Sequence, residues 1–254
     1  MIKKSTQISF EKVGKSYSQG KTVIEAFDLT VFQGDFVSLI GPSGCGKSTI
    51  LKLVAGLTPI TEGNLKVDSK SPKNARAAMA FIFQEATLLP WLTVTNNIQV
   101  PLRLLHWGKS KREEVANQLI ELVGLSSVKN YYPRQLSGGM QMRVSIARAL
   151  TLSPKLLLLD EPFGALDEMA RDHLNEELLA IRTQEDWTAL FVTHSVPEAV
   201  FLSSRIIILS ANPGRLYKTI PINFPYPRKP ELRETLEYQQ AVADVSHHLR
   251  SVER

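Results

Sequence analysis

The sequence predicts an α/β chain with a parallel-sheet core, an antiparallel β layer ahead of it and a helical lobe inserted into it. Three observations carry that prediction. The apolar run Phe36, Val37, Ser38, Leu39, Ile40 breaks into a glycine-rich loop and resumes as an amphipathic segment, which reads as strand, loop, helix. Further on, Leu156, Leu157, Leu158 and Leu159 run straight into Asp160 and Glu161, the mark of a parallel strand buried on both faces. Between them, apolar spacing changes from alternation over residues 7–36 to helical spacing over residues 95–152.

In chain order, Ile8, Phe10 and Val13, then Val23, Ile24, Phe27, Leu29 and Val31, alternate with polar residues and are punctuated by Gly14, Gly20 and Gly34. That spacing predicts antiparallel strands joined by turns. Tyr17 falls in the turn expected over residues 14–20, where its ring would be partly exposed and free to stack on a flat ligand or to pack at a strand end. Ile50, Leu51, Leu53, Val54 and Leu57 place a helix over residues 48–57, ended by Gly56 and Pro59. Strands follow over residues 65–67 and 78–83, the second stopping at the polar Gln84 before a loop that carries Leu88, Pro90 and Trp91. Residues 109–123 are charged on one face and carry Val115, Leu119, Ile120 and Leu122 on the other, with Gly124 as the stop. Ser137 is a natural N-cap for a helix running to Leu150. Asp167 opens the next helix, residues 188–193 and 205–210 read as strands, and a proline-rich stretch over residues 221–230 leads into a charged helix over residues 232–250.

The chemistry-bearing residues cluster at the ends of these elements. Gly41, Gly46, Lys47 and Ser48 satisfy the G-x4-G-K-[ST] pattern, in which backbone N–H groups turn toward a phosphate at the positive end of a helix. Lys47 would reach the terminal phosphates and Ser48 would ligate Mg²⁺. Gly138 and Gly139 behind Ser137 leave N–H groups open at a second helix N-terminus, a second anion cradle in one chain. Side chains alternate along a strand, so Asp160 and Glu161 should point apart and do different work. His194 ends a strand at the same sheet edge as Gln84 and Asp160, which favours a catalytic reading for it. Cys45, the single cysteine, lies inside the loop, where a helix N-terminus could favour thiolate but the favoured reading is a small filler residue.

With 254 residues, 43% of them hydrophobic, the chain can bury a sizeable core. Residues 1–11 lack the apolar core of a signal peptide, and no run approaches a membrane span. The net charge of +5 comes from lysines and arginines scattered among acids, which reads as a solvated surface and argues against a nucleic-acid partner. His106, His173, His247 and His248 lack companions at zinc-ligand spacing.

Taken in order, the loop over residues 41–49, Gln84, the stretch Leu136, Ser137, Gly138, Gly139, Met140, the run from Leu156 to Glu161, Gly164 to Asp167 and His194 resemble, over nearly the whole chain, the ATP-binding subunit of an ABC transporter. Leu88 to Trp91, the Gly-Gly-Met form of the signature and the stretch Asn212, Pro213, Gly214, Arg215 are similar to the subgroup importing nitrate, taurine and aliphatic sulfonates. The resemblance implies a P-loop NTPase (RecA-like) core, an ATP-binding domain over residues 1–215 with its helical subdomain at about 86–152, and a short C-terminal extension over residues 216–254, without the large regulatory domain of sugar-import ATPases.

It also implies roles. ATP and Mg²⁺ are the expected cofactors. Gly41, Pro42, Ser43, Gly44, Cys45, Gly46, Lys47, Ser48 and Thr49 would hold the phosphates, Tyr17 would stack on adenine, and Ser137, Gly138 and Gly139 would reach the ATP of a second ATP-binding subunit, expected in a homodimer. Ser48, Asp160 and Gln84 would serve Mg²⁺; Glu161 would polarise the attacking water, with His194, Lys47 and Gln84 completing the catalytic set. The expected partners are integral-membrane permease subunits and an extracytoplasmic solute-binding protein, with the chain peripheral at the cytoplasmic face of the inner membrane. Met140, Met142, Gly164 and Ser195 depart from the commonest family pattern without removing a group assigned to chemistry. Two other readings are weighed: an exporter or lipid-trafficking ATPase, because the permease sets direction, and a soluble ATPase acting on ribosomes or DNA, which a single phosphate loop without heptads disfavours.

Overall fold

In the computed structural model the described residues are 5–17, 20–184 and 187–252, so that Ser18 and Gln19 of the expected turn, and the first four residues, lie outside them. The chain begins with the long strands β1 (Thr6–Ser16) and β2 (Thr22–Phe32), followed by β3 (Phe36–Ile40), α1 (Lys47–Val54) and β4 (Glu62–Val67). A single turn, α2 (Pro72–Ala75), leads into β5 (Met79–Ile82). The helical lobe comprises α3 (Val94–Ile98), α4 (Val100–Leu104), α5 (Lys109–Leu122) and α6 (Gly138–Leu150). The core then resumes with β6 (Leu156–Asp160), α7 (Glu168–Gln184), β7 (Thr188–Val192), α8 (Val196–Leu202) and β8 (Arg205–Leu209), and the chain closes with β9 (Leu216–Pro221) and α9 (Leu236–Val252).

Two sheets result. β1 pairs antiparallel with both β2 and β4, giving the expected antiparallel layer. The larger sheet has the order β5-β6-β7-β3-β8-β9 and is parallel except for β9. β9 was not foreseen: its residues are largely exposed, so it has neither the apolar run nor the alternation that marks a strand. Its antiparallel pairing with β8 carries the sheet across residue 215, the expected limit of the ATP-binding domain.

The leucine run of β6 shows how the layers are held. Leu156 and Leu158 face a core shared with α1 and the antiparallel layer, while Leu157 and Leu159 face a second core shared with α6, α7 and α8. Period-two alternation thus buries every leucine of the strand, which is why the run contains no polar interruption. α1 is pressed between the two sheets through Ile50, Leu51, Leu53 and Val54, so the loop before it is fixed from both sides. In a parallel sheet the carboxyl ends of the strands converge on one edge, and the candidate residues gather there.

The segment after β9 is fastened to α8. The buried Arg228 guanidinium donates to the carbonyls of Val200, Phe201 and Ser203, Tyr226 donates to Leu202 O at 2.6 Å, and Tyr238 donates to Pro197 O at 2.8 Å. Among the described residues no helix is long and apolar enough to cross a membrane.

Candidate active site

The loop between β3 and α1 forms the site. Gly46 has φ of 98° and stands at the N-cap of α1, where no side chain caps the helix. A Cβ there would lie 2.3 Å from Ile24 Cδ1, so both conformation and space demand glycine. The uncapped first turn presents its N–H groups to a cleft of about 280 Å³ lined by Val23, Ser43, Gly44, Gly46, Lys47, Ser48, Thr49 and Glu161. Lys47, 8% exposed, folds back to donate to Gly41 O at 2.8 Å and Pro42 O at 3.0 Å, which parks the ammonium at the floor of the anion cradle.

The two acids have different partners, with Glu161 lying just beyond the end of β6. Asp160 Oδ1 accepts from Ser48 Oγ at 2.8 Å. Burial pushes the Asp160 carboxyl above the usual carboxylate range, opposed by the Ser48 hydrogen bond and reinforced by the charge of Glu161. Glu161 turns the other way, its Oε2 3.1 Å from His194 Nδ1. The backbone of Glu161 lies at φ 47°, sparsely populated for a non-glycine residue, and is held there by donation to Val192 O at 3.0 Å and acceptance from Gly164 N at 3.0 Å. Gln84 is exposed beyond the end of β5; a Cβ on Gly164 would be 3.5 Å from both Gln84 Nε2 and His194 Cε1. Gly164 therefore keeps open the space around which Glu161, Gln84 and His194 meet.

Other expected residues lie apart. Ser137 caps α6 by accepting from Met140 N at 3.2 Å, and Ser137 and Gly138 are exposed with Gly139 half-buried. None of the three lines the cleft at the phosphate loop, so this second cradle faces outward from the chain. The Tyr17 ring is 43% exposed, with Lys15 Nζ 4.8 Å from its centroid. Cys45 is fully buried and burial raises its thiol pKa, which corrects the idea of a helix-activated thiolate and leaves the filler reading. Trp91 is 68% exposed rather than packed in the core. Its turn is rigid: the fully buried Asn97 accepts from Leu89 N and donates to the carbonyls of Leu89, Leu92 and Thr93, while Arg148 donates to Ala86 O and Thr87 O.

Two groups escaped sequence reasoning. Gly214, in the turn between β8 and β9, donates to Val23 O at 2.8 Å and accepts from Glu25 N at 3.0 Å, which presses it onto the carbonyl of Cys45. Glu198, on α8, is buried behind His194. Gly214 stands in the stretch Asn212 to Arg215, whose residue types do not tell which backbone it meets; Glu198 reads as an ordinary helical acid.

Mg²⁺ binds oxygen ligands and keeps part of its shell for phosphate and water. Ser48 Oγ and Asp160 Oδ1, adjacent at the rim of the cradle, fit that need. Among the described residues there is no cluster of three or more His, Cys, Asp or Glu that would bind the ion by protein groups alone.

A glycine-rich cradle at an uncapped helix, a buried lysine and two carboxylates with separate partners are groups that a nucleoside-triphosphatase site needs. The ABC transporter family matches residues 24–164. The aliphatic sulfonates import ATP-binding protein SsuB of Bacillus subtilis (strain 168) is 44% identical over 229 residues, 90% of this chain and 88% of that protein. SsuB of Bacillus cereus (strain ATCC 10987) is 46% identical over 224 residues, 87% of this chain and 88% of that protein. A dimeric ATP-binding cassette solved in a post-hydrolysis state with ADP and phosphate superposes with a TM-score of 0.75 at 29% identity, covering 86% of this chain and 100% of that one. CbiO1 of Clostridium perfringens shares the fold, with a TM-score of 0.81 at 19% identity over 98% of this chain and 97% of its own. The chain belongs to the ABC transporter family, and as such it binds and hydrolyses ATP.

Proposed function

We propose that the chain is the energy-coupling ATPase of an importer for aliphatic sulfonates or a closely similar small anionic solute. The observation that carries the ATPase mechanism is the division of labour between neighbouring acids, Asp160 on Ser48 and Glu161 on His194. The solute class rests on the likeness to sulfonate-import ATPases at 44 to 46% identity over most of the chain.

ATP lies with its phosphates on the loop over residues 41–49, Tyr17 against the adenine and Lys47 swung from the Gly41 and Pro42 carbonyls to the terminal phosphates. Ser48 and Asp160 hold Mg²⁺, with Gln84 reaching the same region. Bound there, the ion neutralises charge on the triphosphate. Glu161 accepts the proton of the attacking water, and His194 orients that water and the γ-phosphate. Phosphoryl transfer is chiefly positioning and charge stabilisation, so fixing these groups at one sheet edge is the protein's main contribution.

The outward-facing turn at Ser137, Gly138 and Gly139 supports a head-to-tail homodimer in which each ATP is closed by the partner's turn. The exposed Trp91, on a turn held by Asn97 and Arg148, is suited to anchor a permease subunit. On this reading the chain works at the cytoplasmic face of the membrane with permease subunits and an extracytoplasmic solute-binding protein.

Two measurements test this. Glu161→Gln keeps ATP binding and lowers turnover by roughly 10²- to 10⁴-fold, accumulating an ATP-bound dimer; near-parental hydrolysis would remove Glu161 from its role. Gentle purification from detergent-solubilised membranes, followed by mass spectrometry, recovers a multi-span permease whose binding protein takes sulfonates. Recovery of ribosomes or soluble partners alone would sink the transport reading and leave the ATPase chemistry standing.

A further inference from the structure

Glu198 is 5% exposed, yet nothing in the hydrolytic roles above uses it. Its Oε2 accepts from Thr193 Oγ1, and among the described residues its buried Oε1 has no hydrogen-bond partner. The cost of such burial is several kcal/mol for an acid, so a carboxyl retained there invites a reason. Capping of α8 is not that reason, because Ser195 Oγ already accepts from Glu198 N at 3.4 Å. The remaining contact is Thr193. Its hydroxyl donates to Glu198 and accepts from Ser195 N at 2.9 Å, bridging the residues on either side of His194. Thr193 N in turn donates to Leu39 O at 3.4 Å, at the end of β3. The backbone flanking His194 is thereby closed into a small hydrogen-bonded ring, and only the imidazole projects from it, exposed and 3.1 Å from Glu161.

We propose that Glu198 is a positioning residue for ATP hydrolysis: through Thr193 it fixes the backbone at His194 and so keeps the imidazole on Glu161. The proposal rests on the reading of His194 as the group that orients water and the γ-phosphate. A hydroxyl donating to a carboxyl oxygen in a buried, low-dielectric site is shielded from competing water, which suits it to holding a loop against the pull of substrate. The same ring touches no part of the phosphate cradle, whose lining is confined to Val23, the loop, α1 and Glu161. Loss of Glu198 should therefore act on the chemical step and not on nucleotide capture.

The test is steady-state ATPase kinetics of the full chain with Glu198→Leu, Thr193→Val, the conservative pair Glu198→Gln and Thr193→Ser, and His194→Ala as reference. Thr193→Val keeps shape and fills the same buried space, so it stands if Glu198→Leu fails to fold. We expect Glu198→Leu and Thr193→Val each to lower kcat by about 10- to 100-fold with KM for ATP within about twofold, the pattern of a misplaced group made felt only in the transition state. Thr193→Ser and Glu198→Gln, which keep the donor and an acceptor, should return kcat to within about threefold of the parent. Unchanged kcat in Thr193→Val, a KM that rises in step with the loss, or failure of the conservative pair to restore activity each overturns the proposal. Near-parental turnover by His194→Ala would be a different failure, that of the role given to His194.

Discussion

Gly214→Ala adds one methyl group at a place far along the chain from the phosphate loop, and it should disable that loop. A Cβ at Gly214 would lie 2.0 Å from Cys45 O, whereas Cβ contacts below 3.0 Å are essentially never seen, so the two backbones must part by at least 1 Å. Gly214 cannot retreat, because its N–H is bonded to Val23 O and its carbonyl to Glu25 N within β2. The displacement therefore falls on Cys45 and on the neighbouring Gly46, the N-cap of α1. Cradles for phosphate work through N–H groups in fixed positions, and a misplacement of about 1 Å costs on the order of 10²-fold in rate. Overpacking of this kind also costs about 1 to 3 kcal/mol of stability, or roughly 2 to 12 °C in Tm at this chain length. The assay is kcat/KM for ATP with a fluorescent-nucleotide titration and a thermal melt. Tyr217→Ala on the exposed edge of β9 is the control, expected near parental values. If Gly214→Ala binds and hydrolyses ATP within about twofold of the parent, the loop is not held from behind and the reasoning fails.

Lys47→Ala removes a charge poised on the loop carbonyls and should weaken ATP binding by about 10- to 100-fold, the range of a hydrogen bond to a charged group; calorimetric titration showing unchanged affinity would count against the cradle. Glu198 makes a pH prediction. Burial pushes its carboxyl from 4.5 up to about 7, with Arg171 and Asp172 of α7 and Glu161 as its charged neighbours, and Glu168, Arg233 and Tyr238 lining the same cavity. The folded state thus favours the protonated acid: the stability it contributes is fully present below 4.5 and is lost as pH rises through about 7. Glu198→Gln escapes that loss, so its stability relative to the parent should rise by up to about 3 kcal/mol between pH 5 and pH 8. Denaturant melts in which the difference stays flat with pH would refute the assignment.

The groups proposed to touch phosphate announce themselves in sequence, and the groups proposed to aim them do not. The glycine and lysine pattern at residues 41–49 is legible because a backbone wrapped around an anion tolerates few residue types, and the leucines of β6 because a strand buried on both faces tolerates no polar one. Alternation led to the expectation of different work for Asp160 and Glu161, and the structure gives them different partners, while Ser137 and Asp167 could be placed as caps from their residue type. Gly214, Glu198 and Arg228 follow no such rule. Gly214 is required by a carbonyl that arrives from the phosphate loop, and Arg228 is spent on the carbonyls at the end of α8. Glu198 answers a single hydroxyl. Each partner is a backbone atom or a common side chain brought in by tertiary folding, so no periodicity or spacing records the contact. β9 escaped for the related reason that an edge strand with exposed residues is defined by the neighbour it pairs with, not by its own pattern. The proposed catalytic set therefore has two layers with different signatures: an outer one written in residue types at strand ends, and an inner one written in the geometry that holds His194 and the phosphate loop in place.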